Sequence, residues 1–207
     1  MKLVVGLGNP EERYANTRHN LGFMALDALA KRVKGQAAKG EPSPGLGVSW
    51  KYEEKFKSEI FNFTLDAYPF TLVKPQTYMN NSGIAVSLIA NFYKVAPEDI
   101  IIVYDELDLP LGKIKVRMGG AAAGHHGVES VMAGLGTDQF IRVRLGIGNL
   151  KTQGGEHKAQ AFSAEKFVIE PFLHSEKAQV KHMMKQATKA IDEILEKGLE
   201  YAQNQFN

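Results

Sequence analysis

Five consecutive apolar residues, IIIVY at 100–104, constrain this chain more than any other stretch. A strand that is apolar at every position is buried on both faces, which requires a sheet with helices packed on either side. The surrounding pattern agrees. KLVVG at 2–6 reads as a short buried strand broken by Gly8, Asn9 and Pro10. Asn20 then stands where a helix N-cap belongs, and Leu21, Met24, Ala25, Ala28 and Leu29 follow at helical spacing. Strands are expected at 58–65, 70–74, 113–117 and 140–147. Helices are expected at 82–93, with Ile84, Leu88, Ile89 and Phe92 facing inward, at 128–135 and at 175–202.

Strands alternating with helices give an α/β fold, a twisted mixed sheet with helices on both faces. With 207 residues, 44% of them apolar, one domain over 1–207 suffices to bury a core. Glycines, prolines and weak periodicity mark 35–49 as a mobile loop. No run of 18 apolar residues offers a membrane span, and the first ten residues are too short for a signal peptide. The chain has no cysteine, which excludes disulfides, thiolate metal sites and a thiol nucleophile.

Open α/β sheets bind ligands beyond the carboxyl ends of their strands. Four loops follow strands here, 8–20, 75–81, 105–112 and 118–127, and they hold the unusual polar residues. Gly6 and Gly8 begin a dinucleotide-like G-x-G, but position 11 is Glu11, so a nicotinamide or flavin is not expected. Neither G-x-S-x-G nor H-E-x-x-H occurs. A histidine–aspartate pair activating water remains. His19 ends the first loop, and Asp105 directly follows the buried strand, where it can accept the Nδ1 proton of an imidazole and leave Nε2 as a base. Asn9, Asn80 and His126 add neutral hydrogen-bonding groups, although an asparagine in a loop is also a common turn former.

Net charge is only +2. Lys113, Lys115 and Arg117 alternate, as do Arg142 and Arg144, which places each set on one strand face. On charge alone, solvated strands account for them. Lys177, Lys181, Lys185 and Lys189 likewise fit the wet ridge of an amphipathic helix.

Taken in order, GLGNP, Tyr14, TRHNLGF, KPQTYMNNSG, DELDLPLG, GGAAAGHHG and RVRLGIG resemble bacterial peptidyl-tRNA hydrolase. The match runs from Lys2 to about Gly148 and continues less clearly through Phe172. The resemblance implies a single α/β domain that hydrolyses the ester between a peptide and the 3′-terminal ribose of tRNA, without metal or organic cofactor, as a cytoplasmic monomer. It implies His19, Asp105, Asn9 and Asn80 as the catalytic set. Tyr14, Met79, Asn80 and His126 would meet substrate, and Lys115, Arg117 and Arg144 would grip phosphate of the acceptor stem.

Three places depart from the family pattern. Its G-H-N-G reads Gly124-His125-His126-Gly127 here, so an imidazole replaces a water-positioning amide. Its G-I-G-H-P ends in Asn149 and Leu150, and its V-L-G-x-F reads Val168-Ile169-Glu170-Pro171-Phe172. The last two fall at or within a lid-like segment at 150–172. The competing expectations are a non-catalytic RNA-binding relative of the same fold, motivated by His126, and a small-ester hydrolase that ignores RNA.

Overall fold

The run at 100–104 is the start of a longer strand, Ile100–Pro110 (β5), and its alternate residues serve two cores. Ile101 and Val103 join one apolar cluster, while Ile100, Ile102 and Tyr104 join the other. This is the two-faced burial that an all-apolar strand demands. Each fully buried Ile or Val of this kind contributes about 1.5–3 kcal/mol relative to exposure.

The computed structural model describes residues 1–37, 49–65, 68–148 and 163–207. The remaining strands are Lys2–Gly6 (β1), Lys51–Glu53 (β2), Ser58–Leu65 (β3), Tyr68–Pro75 (β4), Ile114–Met118 (β6) and Ile141–Gly148 (β7). They form one sheet in the order β2-β3-β4-β1-β5-β7-β6. β4, β1, β5 and β7 run parallel, and β2, β3 and β6 pair antiparallel. The expected mixed sheet is therefore present.

Helices Leu21–Ala37 (α1), Lys177–Lys197 (α5) and Leu199–Phe206 (α6) cover one face. Ser82–Tyr93 (α2) and His126–Leu135 (α3) cover the other. A short helix, Ala164–Val168 (α4), lies near the carboxyl edge. The single long helix expected at 175–202 is two, because Gly198 takes φ 88° and ends α5.

Three expectations change. Residues 35–37 belong to α1, and most of the expected mobile loop lies outside the described residues. Asp105 sits inside β5, because pairing with β7 continues through Glu106 and resumes at Pro110. The inner face of α2 is built from Gly83, Ala85, Val86, Ile89 and Ala90, while Ile84, Leu88 and Phe92 are exposed. The face turns through Gly83 because α3 lies almost against the backbone there. A Cβ on Gly83 would stand 1.8 Å from the Ser130 carbonyl oxygen.

Candidate active site

The carboxyl ends of β4, β1 and β5 lie side by side, and the chain that leaves them forms the walls of a cleft of about 750 Å³. Asn9 follows β1, Met79 and Asn80 follow β4, and Asp105 projects from β5. His19 comes back to the same place on a 3-10 turn, Arg18–Asn20, that leads into α1. The start of α1 is pressed onto the sheet at Gly22, where a Cβ would lie 2.3 Å from the Leu7 nitrogen and 2.4 Å from the Val103 oxygen. Only glycine allows that approach, and it sets the distance from His19 to β5.

Asp105 is 2% exposed, and its carboxylate receives two imidazoles. His19 Nδ1 lies 3.0 and 3.1 Å from its two oxygens, and His125 Nε2 lies 3.1 Å from Oδ1. Burial acts to raise the Asp105 pKa. The electrostatic attraction of His19, then that of His125, and the hydrogen bonds from both outweigh it and hold the group well below the usual carboxylate range. An acceptor-only carboxylate assigns the proton of His19 to Nδ1, which leaves Nε2 bare. His125 is fixed from its other side. It caps α3, with Val128 N–H donating to its Nδ1 at 3.2 Å, so its proton sits on Nε2 and points to Asp105.

His19, Asp105 and His125 also bring three possible ligand atoms within 4.8 Å of one another. The donor set does not suit a metal ion. His125 Nε2 carries a proton where a ligand needs a lone pair, because its Nδ1 already accepts from a backbone N–H.

Asn9 is oriented by bonds that the sequence does not reveal. Its backbone N–H donates to Asn20 Oδ1 at 2.9 Å, and its carbonyl accepts from Asn20 Nδ2 at 3.0 Å. Asn20 is therefore a brace for Asn9, and the expected side-chain cap on α1 is not formed. Met79 N–H donates to Asn9 Oδ1 at 2.8 Å, which leaves the NH₂ end of Asn9 as a donor. Asn80 is exposed on the cleft, and its amide has no hydrogen-bond partner among the described residues. The two loops are tied together by Glu11 and Tyr78, whose φ angles are 80° and 61° and whose carboxylate and hydroxyl are hydrogen-bonded. Two non-glycine residues at positive φ, linked side chain to side chain, are strain placed beside a site.

His126 lines the cleft mouth, half-exposed, with Nδ1 3.0 Å from Glu129 Oε2. Met79 is buried on the cleft wall. Tyr14 does not line the cleft. Its carbonyl accepts from Thr17 and the Arg13 guanidinium lies 4.8 Å over its ring, so it braces the first loop. The far wall comes from Ala164, Glu165, Val168 and Ile169 of the C-terminal part of the expected lid; residues 150–162 of that segment lie outside the described residues.

The basic residues divide into three kinds. Lys115 and Arg117 are exposed on β6 and have no ion-pair partner among the described residues. Arg142 is 1% exposed and holds the 120–121 turn, donating to the carbonyls of Gly120 and Ala121. It is thus a structural group, and the expected second row of surface charge reduces to Arg144. That guanidinium is engaged by Glu106, at 2.8 and 2.9 Å, on the floor of the cleft. His125, Asn20, Glu106 and Tyr78 are the site residues that sequence reasoning missed or left without a role. Only His125 carried a signal, as the first of the paired histidines in GHHG.

A family model described as peptidyl-tRNA hydrolase matches residues 3–207. Among curated relatives, the peptidyl-tRNA hydrolase of Mycolicibacterium gilvum (strain PYR-GCK) is 41% identical over 202 residues, covering 98% of this chain and 94% of that protein. That of Mycobacterium ulcerans (strain Agy99) is 43% identical over 205 residues, covering 99% and 96%. The crystal structure of peptidyl-tRNA hydrolase from Acinetobacter baumannii superposes with a TM-score of 0.83 at 30% identity, covering 100% of this chain and 94% of that one.

Proposed function

This chain belongs to the peptidyl-tRNA hydrolase family, and we propose that it hydrolyses peptidyl-tRNA in the cleft at the end of β5, with His19 as general base and water as nucleophile. The observation that carries this reading is the hydrogen bond from His19 Nδ1 to the buried Asp105, which leaves Nε2 free to take a proton.

The steps balance without a covalent intermediate. His19 Nε2 removes a proton from water as the water oxygen bonds to the ester carbonyl carbon. The charge that develops on the carbonyl oxygen meets the NH₂ groups of Asn9 and Asn80. The tetrahedral centre then collapses, the bond to the ribose oxygen breaks, and the proton passes from His19 to that oxygen. Free peptide and tRNA result. Asp105 holds the ring in the productive tautomer and stabilises the imidazolium between the two transfers.

Lys115 and Arg117 supply the handle for RNA, since exposed unpaired cations on one strand face suit phosphate. Arg144 joins them only by leaving Glu106. The small-ester reading has no use for this surface. The non-catalytic reading finds no support: His19 and Asp105 are paired, and the relatives are named as hydrolases. The reading carries the family expectation of a monomer in the cytoplasm. Among the described residues, no helix is long and apolar enough to cross a membrane.

Release of a labelled N-blocked amino acid from tRNA, measured with chelator present, tests the proposal. The native chain is expected to release it rapidly and His19→Ala to fail. Equal release by both would remove His19 from the mechanism, and tRNA binding without release by the native chain would reject hydrolysis.

A further inference from the structure

The residue before His19 points the other way and grips the opposite wall of the cleft. Arg18 is 2% exposed. Its NH2 donates to Glu176 Oε2 at 2.7 Å, and its NH1 donates to the Pro171 carbonyl at 2.7 Å and more weakly to that of Glu170 at 3.3 Å. The rings of Phe167 and Phe172 lie close to the guanidinium, with centroids 4.4 and 5.0 Å from its central carbon. The backbone repeats the link: Arg18 N–H donates to the Glu170 carbonyl at 3.1 Å, and Thr17 bridges to Pro171. Glu176 closes the knot by accepting from Leu173 N–H at 2.7 Å.

One side chain therefore holds residues 167–176, and the near side of that segment is cleft wall, at Val168 and Ile169. We propose that Arg18 is a positioning residue. Its clamp sets where the α4 wall stands over the cleft and, by pinning the Arg18–Asn20 turn, where His19 Nε2 points. The proposal rests on the reading of His19 as general base.

Two physical points support position over mere stability. A buried ion pair seldom stabilises a fold more than well-packed apolar residues of the same volume would. The geometry is also one that only arginine supplies: a planar fork reaching a carboxylate on one nitrogen and carbonyls on another, with two aromatic rings packed against it. Lysine has one ammonium and cannot hold all of these at once.

The test uses the full chain carrying Arg18→Gln, Arg18→Lys or Glu176→Gln. Steady-state and single-turnover release from N-blocked aminoacyl-tRNA is read beside amide hydrogen exchange and a thermal melt. Arg18→Gln is expected to lower kcat on the order of 10–100-fold, the scale of an ångström's misplacement of a reacting group. KM should stay close to native, because the exposed cations on β6 are untouched. Arg18→Lys should recover part of kcat, and exchange should quicken at 164–173 before the sheet responds. Glu176→Gln, which keeps a neutral acceptor, should move kcat and exchange the same way by less.

Native kcat with exchange unchanged at 164–173, whether or not the melting temperature falls, would overturn the proposal. If Arg18→Gln does not fold, Glu176→Gln decides by the same criteria. Exchange at 164–173 needs no turnover. Failure of the hydrolase reading would show instead as no release by the native chain, separately from failure of the clamp.

Discussion

Replacing Asp105 by asparagine keeps the shape of the side chain and removes one charge and one acceptor. Two imidazole N–H groups converge on the native carboxylate, His19 across both oxygens and His125 on Oδ1. In Asp105→Asn an NH₂ replaces one oxygen. If Oδ1 keeps His125, that NH₂ faces His19 Nδ1, and the ring relieves the clash by moving its proton to Nε2. The base then carries its proton on the nitrogen that must accept one. The charge effect is separate. An imidazolium and a carboxylate about 4 Å apart attract by about 4 kcal/mol at an effective dielectric of 20. At 1.36 kcal/mol per decade this is about 10³ in rate. With the wrong tautomer added, the expected loss in kcat is about 10³–10⁴-fold, the scale seen when a catalytic triad loses the same charge.

Single-turnover release from N-blocked aminoacyl-tRNA measures that loss. Because Asp105 acts through His19, the double variant with His19→Ala should be no slower than His19→Ala alone. A loss below tenfold in a folded protein, or an additive double variant, would refute the assignment. The same substitution should alter acid stability. The folded-state pKa of Asp105 lies below its unfolded value, so the ionised group contributes stability above an ordinary carboxylate pKa of about 3.9 and loses it as pH falls through the lower folded value. Asp105→Asn should therefore flatten the decline of the urea midpoint below about pH 4, and an unchanged acid limb would argue against the depressed carboxylate.

Lys115→Gln and Arg117→Gln should each reduce the slope of log affinity for tRNA against log salt by about 1 while leaving kcat at saturation unchanged; filter binding across a salt series reads this, and an unaltered slope would remove β6 from the RNA interface. His126→Asn should change kcat by less than about threefold, because the ring is half-exposed and its Nδ1 is engaged by Glu129; a large gain or loss in the release assay would show that residue 126 acts on the water directly. Gly83→Ala should cost about 1–3 kcal/mol and lower the melting temperature by several degrees, since its methyl group would meet the Ser130 carbonyl; a native melt would mean that α2 and α3 separate without penalty.

Most strands and helices were legible because each carries its own local pattern, such as IIIVY in β5 or the apolar spacing of α1; the three-residue β2 and five-residue α4 were not, being too short for a period to show. The inward face of α2 was legible only at Ile89. Ile84, Leu88 and Phe92 repeat every fourth residue as a buried stripe does, but α3 lies so close at Gly83 that the buried face runs through Gly83, Ala85, Val86, Ile89 and Ala90 instead. The end of β5 was hidden for a related reason. DELD reads as a polar loop, and only pairing with β7 keeps it extended. His19, Asp105, Asn9, Met79 and Asn80 were legible through ordered motifs, and the structure brings all five to one cleft. Asn20 and Glu106 were not, because their roles are bonds to partners 11 and 38 residues away that no local spacing encodes.

Those hidden partners explain how a loop histidine can hold the orientation that proton transfer requires. His19 sits on a single 3-10 turn, too short to stiffen itself. Its direction is imposed from three sides. Asp105 receives its Nδ1 from a central strand whose neighbours β1 and β7 fix the backbone. His125 holds the same carboxylate from the start of α3 and is itself held by a backbone N–H, so the second helical layer is keyed to the proposed base. Asn20, at the other end of the turn, ties it to the backbone of Asn9, and Asn9 in turn accepts from Met79. Each constraint ends on backbone or on a buried charge, which cannot relax cheaply. A variant that frees any one of them should therefore lower kcat before it lowers substrate affinity, since a misdirected imidazole still leaves the cations proposed to meet phosphate in place.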